Sequence, residues 1–212
     1  MTDKLKGKIA VVAGASRGCG RGIAVALGEQ AAIVYVTGRT IRGGPPPVDG
    51  ISGVIEETAE EVTRRGGVGI PVQIDHTDAR QCKSLFDRVH AEYGRLDIFA
   101  CAVWGGNERF VDPIWKRRFG NCLWASGATS WAPRPQAFWI AAREAARLMS
   151  EQGSGLITAI SEPMIDMDKL SGSPQWDLFE HLPHYALNRL VVSLAPEARK
   201  AGITLLVYCR GS

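Results

Sequence analysis

Three glycines behind an apolar run are the first residues in this chain with a spacing that can do chemistry. Gly14, Gly18 and Gly20 lie in IAVVAGASRGCGRG, spaced G-x-x-x-G-x-G, directly after Ile9–Val12 and ahead of an Ala/Val/Leu-rich amphipathic segment. A strand that meets a helix through such a turn admits a diphosphate to the backbone, because glycine permits the turn and leaves no Cβ in the way. The helix then aims unpaired N–H groups and the positive end of its dipole at the phosphates. A glycine-rich turn without a ligand is the plainer alternative, and the strand–helix alternation that follows favours the nucleotide.

Two arginines bear on which nucleotide. A second apolar run, Ala32–Val36, ends at Thr37-Gly38-Arg39, and no Asp or Glu follows until Asp49. An acidic residue at that strand end would bond both ribose hydroxyls and repel a 2′-phosphate. Arg39, with Arg17 in the glycine turn, instead offers charge-assisted bonds to a phosphate. The pair predicts NADP(H) rather than NAD, against the alternative of two solvated arginines. Further on, Glu180 and His184 stand at i, i+4, either an acid–base couple on one helical face or a surface pair. His181 and His184 lack the convergent Cys or carboxylate set that a metal needs.

The elements that must position these groups follow from periodicity. Strands are expected at Lys8–Ala13, Ala32–Val36, Val68–Ile74, Leu96–Val103, Gly155–Ile160 and Ile203–Tyr208. Helices are expected at Cys19–Gln30, Val54–Arg65, Asp78–Tyr93 with Asp78 as cap, Gln136–Ser150 and Trp176–Lys200, the last open to breaks at Pro183 and Pro196. Arg42–Gly53 is too rich in Gly and Pro for an element and reads as a loop beside the adenosine end. Trp104–Pro135, with four tryptophans, a KRR cluster and Gly/Ser/Pro breaks, reads as a cover or a partner surface. Asp166 and Asp168 read as solvated. Strands alternating with helices require crossover connections, hence an α/β, three-layer, doubly wound parallel sheet of at least six strands.

The whole chain sets limits on function. Its 212 residues fit one domain, 1–212, and 45% hydrophobic with 22% charged residues is ordinary for a globular protein. A net charge of +3, with scattered basic residues, argues against nucleic acid. No apolar run approaches the roughly 18 to 20 residues that span a bilayer, and MTDKLKGK lacks a secretory core, so no membrane and a cytoplasmic location are expected. Cys19, Cys82, Cys101, Cys122 and Cys209 form no C-x-x-C and read as reduced thiols.

With these landmarks placed, the sequence resembles the short-chain dehydrogenase/reductase family from Leu5 to Gly211. The pieces that carry the resemblance are VAGASRGCGRGIA, VYVTGRT, IDHTD, RLDIFACAVWGG and GLITAIS. It implies a Rossmann-like NAD(P)-binding domain, NADP(H), and reversible hydride transfer to a small-molecule carbonyl or from an alcohol. It also implies that Gly14, Ser16, Arg17, Gly18, Cys19 and Gly20 line the diphosphate, that Asp75 bonds the adenine, and that Cys101 stands where an asparagine ends the fourth strand. Ala13 replaces a usual threonine.

The family's chemistry uses a tyrosine, a lysine four residues later, a serine and a relay asparagine, and here two registers compete. One takes Tyr185 with Arg189, whose permanent charge can depress a phenol's pKa but cannot relay a proton. The other, counted back without a gap from Gly202, puts His184 in the lysine's place and Glu180 in the tyrosine's. The serine is Ser161, or its neighbour position, where this chain has Glu162. Near the relay asparagine's expected place the chain reads APRPQ, with Pro133 or Pro135 in the way. The resemblance further implies a homodimer or tetramer paired through Gln136–Ser150 and Trp176–Lys200, and a substrate-covering helix and seventh strand that this chain is expected to lack. Besides the oxidoreductase, a non-catalytic NADP(H)-binding module and a partner-binding domain on the same scaffold are open readings.

Overall fold

Ile9–Ala13 forms β1, and all five of its residues are buried. A strand covered on both faces reads as an unbroken apolar run, which is what a parallel sheet requires. The computed structural model describes residues 3–47, 50–104, 133–162 and 181–209. Within them β1 pairs in parallel with β2 (Ile33–Gly38) on one side and β4 (Ile98–Cys101) on the other, with Ala13 opposite both Thr37 and Cys101. β3 (Val68–Gln73) lies outside β2; β5 (Gly155–Ser161) and β6 (Ile203–Cys209) continue beyond β4. The order is β3-β2-β1-β4-β5-β6. The strand order runs outward in one direction from β1 and in the other from β4, and in such sheets a crevice opens at that switch point, above the carboxyl ends of the strands.

Alternation along β1 feeds both helical layers. Ala10 and Val12 face a core shared with α1 (Gly18–Gly28) and α2 (Ile55–Arg64), through Ala24, Ile55, Ala59 and Val62. Ile9, Val11 and Ala13 face the other core, with α3 (Ala79–Tyr93), α4 (Pro133–Gln152) and α5 (Leu182–Lys200), through Phe86, Phe138 and Leu187. The three-layer α/β architecture expected from periodicity is therefore present.

Local signals explain the boundaries. Asp78 Oδ1 accepts from Arg80 N at 2.8 Å and Gln81 N at 3.2 Å, the expected cap, and Gly94 ends α3 in the left-handed conformation. α4 starts three residues before the expected Gln136, because Pro133 and Pro135 sit in the first turn, where a missing N–H is no loss. α5 runs unbroken from Leu182 to Lys200 with Pro183 at its start and Pro196 inside it, so neither proline ends it. At the amino ends of β1 and β4, the Asp97 carboxylate accepts from Ile9 N and Lys8 Nζ, both at 2.9 Å, and from Arg95. Burial alone would raise that carboxyl; Arg95, the Ile9 amide and Lys8 outweigh it and hold it below the usual range.

Candidate functional site

A cleft of ≈ 960 Å³ opens at the carboxyl ends of the strands, and the glycine turn forms its floor. Gly14 and Ala15 donate their N–H groups to Thr37 O, each at 3.0 Å, which ties the turn to β2. A Cβ on Gly14 (φ +73) would lie 2.8 Å from Ala102 O, and one on Gly20 would lie 2.1 Å from Gly14 O. Those two glycines are demanded by packing. Gly18 (φ +55) differs, since nothing stands within 4 Å of where its Cβ would be. Its open side belongs to the cleft, which Ser16, Arg17 and Cys19 also line. Arg17, the N-cap of α1, makes no side-chain cap bond to the helix's leading amides. The open side at Gly18 and the positive end of α1 suit a diphosphate.

Gly38, Arg39 and Thr40 form the next wall, with Pro45–Pro47 and Ile51 from the long loop. Arg17 Nη1 donates to Ile51 O, and a Cβ on Gly53 would meet Ser16 O at 2.5 Å, so the loop lies directly on the glycine turn. Asp75 Oδ1 accepts from Thr77 N at 2.9 Å and Thr77 Oγ1 at 2.7 Å, which fixes the carboxylate at the cleft wall. His76 lines the same wall and is buried; burial pushes its ring down to about 4, with Asp75 pulling the other way.

The opposite end holds a polar cluster. Ser161 ends β5, Glu162 follows it, and His184 comes from the first turns of α5. His184 Nδ1 accepts the Glu162 amide N–H at 2.9 Å and lies 3.0 Å from Ser161 Oγ. The buried Arg134 guanidinium approaches both ring nitrogens, with Nη1 2.7 Å from Nδ1. Its Cζ lies 3.6 Å from the centre of the Trp104 ring, and that ring's centre is 5.7 Å from the imidazole's. Burial first, then Arg134 and then His181 push His184 down to about 3. The ring is therefore neutral at ordinary pH, and with Nδ1 accepting an amide its proton sits on Nε2, 3.9 Å from the Glu162 carboxylate.

Gly14, Ser16, Arg17, Gly18, Cys19, Gly20, Arg39 and Asp75 thus come together around one cleft, and Ser161, Glu162 and His184 close its other end. Tyr185, half-buried, and Arg189, exposed, lie on α5 but not among the cleft-lining residues. Glu180 falls outside the described residues, as do Asp166, Asp168 and most of the Trp-rich segment. Cys101 is buried in the core and does not line the cleft; burial pushes its thiol up to about 11. Sequence reasoning missed Arg134, Trp104 and His76 as site residues. Arg134 sits between two prolines at a helix start, and His76 next to Asp75, which are the only marks they leave in the sequence.

A model of the family described as enoyl-(acyl carrier protein) reductase matches residues 14–205. Dehydrogenase/reductase SDR family member 1 of Homo sapiens is 31% identical over 213 residues, covering 96% of this chain and 60% of that protein. Its Mus musculus counterpart is 33% identical over 168 residues, covering 77% and 49%. This chain belongs to the short-chain dehydrogenase/reductase (SDR) family. The chain spans roughly half to three fifths of the length of these curated relatives. Solved structures share the SDR fold: a metagenomic short-chain oxidoreductase in complex with NADP superposes with TM-score 0.70 at 24% identity, covering 99% of this chain and 84% of that one. An NADH-dependent reductase complexed with NAD gives 0.75 at 14% identity, with 100% and 81% covered. Among the described residues of this SDR chain, no helix is long and apolar enough to cross a membrane, and no group of three His, Cys, Asp or Glu is placed to hold a metal.

Proposed function

We propose that this chain is an NADP(H)-dependent oxidoreductase that moves hydride between its coenzyme and a small-molecule carbonyl or alcohol. The observation that carries the reading is the single cleft joining the glycine cradle, Arg39 and Asp75 at one end to Ser161, His184 and Arg134 at the other. NADPH would supply the hydride. The amides around Ser16–Gly20 hold its diphosphate, and Arg39 with Arg17 answers the negative charge of the 2′-phosphate. Asp75, whose Oδ1 is committed to Thr77, keeps Oδ2 to accept from an adenine amine. At the other end the Ser161 hydroxyl donates to a carbonyl oxygen. Arg134 sets a fixed positive charge toward the negative charge that develops there, as a preorganised donor does. The proton that completes the alcohol comes from water by way of Ser161 Oγ, whose one hydrogen turns from His184 Nδ1 to the carbonyl oxygen. Ordinary family members use a phenol; among the described cleft residues there is no tyrosine.

That same feature supports a second reading. His184, held near 3, is no proton donor at neutral pH, so a coenzyme-binding protein without turnover fits the cluster too. Exposed Trp139 on α4 and Val192 on α5 support pairing of copies through those helices as a homodimer or tetramer, and a cytoplasmic location completes the proposal. Calorimetric titration with NADPH and NADH, followed by turnover with a panel of aldehydes, ketones and quinones, separates the readings. Tighter NADPH binding with turnover is expected; tight binding with no turnover leaves the second reading, and no heat at millimolar coenzyme overturns both.

A further inference from the structure

His76, Thr37 and Val12 form a transverse hydrogen-bonded chain across the carboxyl ends of β3, β2 and β1, directly under the cleft. Thr37 Oγ1 donates its one hydrogen to Val12 O at 2.9 Å. The contact at 2.7 Å between Thr37 Oγ1 and His76 Nε2 must then run the other way, from an Nε2–H into the hydroxyl oxygen. The tautomer is set by that count. On its other side His76 faces Cys82, whose Sγ is 3.5 Å from His76 O and 3.9 Å from Nδ1. The chain does not stop at Thr37 Oγ1, because the same residue's carbonyl receives the amides of Gly14 and Ala15. His76 therefore bonds a residue whose carbonyl holds the glycine turn, while its own neighbours, Asp75 and Thr77, form the far wall of the cleft.

We infer that His76 is a positioning residue for the coenzyme: through Thr37 it locks the glycine turn in register with the Asp75 wall, so that diphosphate and adenosine are recognised as one rigid unit. This rests on the coenzyme reading of the cleft. The physical case is geometric. A buried imidazole N–H and a buried hydroxyl oxygen satisfy each other: without Thr37 the Nε2–H is stranded beneath the phosphate cradle, and without His76 the hydroxyl is tethered only to Val12 O. A residue that only filled space at this point would need no donor.

Three variants test it by NADPH and 2′,5′-ADP affinity, with the melting temperature recorded beside each. His76→Phe keeps a flat ring but no donor, and both ligands should bind about fivefold or more weakly, as the loss of one buried hydrogen bond implies. His76→Gln keeps an N–H at similar reach and should recover most of the affinity. Thr37→Val removes the acceptor and should weaken both ligands as His76→Phe does, with the double variant no weaker than either single one. A lowered melting temperature with unchanged affinities in His76→Phe, or failure of His76→Gln to restore binding, overturns the positioning role. Should His76→Phe not fold, unchanged NADPH affinity in Thr37→Val overturns it alone, and weakened affinity there supports it. Absence of binding by the wild-type protein sinks the coenzyme reading instead.

Discussion

Arg134 and His184 share the closed end of the cleft, with Nη1 of the guanidinium 2.7 Å from Nδ1 of the imidazole. Both side chains are buried, and only one of them can be charged. A guanidinium does not give up its proton in a protein, so the imidazole is the partner that stays neutral. Arg134 thereby does two things, lending positive charge to the cleft and denying it to the ring beside it.

Replacing Arg134 by Gln should let His184 titrate at higher pH. Burial is the larger cause of its depression and persists in the variant, so the ring should rise from about 3 but stay below 6.5. Nitrogen chemical shifts of the labelled imidazole followed against pH report it directly. An unmoved titration would show that the guanidinium has no electrostatic hold on the ring.

Acid should destabilise the fold before its carboxylates titrate. His76 folds neutral with its ring at about 4, while the unfolded chain protonates near 6.5. Between those values the unfolded state binds more protons, so the contribution is full above pH 6.5 and is lost as pH falls toward 4. From pH 7 to 5, His76 alone should remove on the order of 2 kcal/mol, and His184, shifted in the same direction, adds to it. Urea midpoints at the two pH values give the measurement, and His76→Gln should flatten the difference.

Coenzyme choice should follow the sign of charge at residue 39. Arg39→Asp should weaken NADPH by about tenfold or more, the order expected for a charge-assisted hydrogen bond replaced by repulsion, and favour NADH. Titration of both coenzymes against wild type and variant gives the ratio; equal losses for the two would remove Arg39 from the specificity argument.

Two glycines of the same turn should fail in different ways. Gly20→Ala forces a methyl to 2.1 Å from Gly14 O, so the turn cannot close and the melting temperature should fall steeply. Gly18→Ala meets no protein atom, and its cost to folding should be about 1 kcal/mol from the positive φ. Its methyl projects from the cradle, so coenzyme affinity should be the main casualty. Circular dichroism melts alongside NADPH titrations distinguish the two, and a Gly18→Ala protein with wild-type affinity would place the diphosphate elsewhere.

Much of this protein was legible as sequence because local chemistry decides it. Unbroken apolar runs such as Ile9–Val12 fit only strands buried on both faces, Asp78 can only cap, and strand–helix alternation leaves a parallel sheet as the outcome. That the glycine turn and Arg39 line the cleft is legible for the same reason: they are contiguous with the elements that carry them. The closed end of the cleft is another matter. Tyr185 and His184 are adjacent in the chain, and on a helix one residue is a turn of about 100°, so only the packing of α5 decides which of them faces inward. Pro183, His184, Leu187 and Val191 turn to the core, and His184 enters the cleft while Tyr185 does not. Arg134 and His76 belong to the same class, since each takes its role from a partner 50 or 39 residues away in the chain. Such pairs exist only once the sheet has brought the ends of its strands together, and no spacing rule along the sequence encodes them.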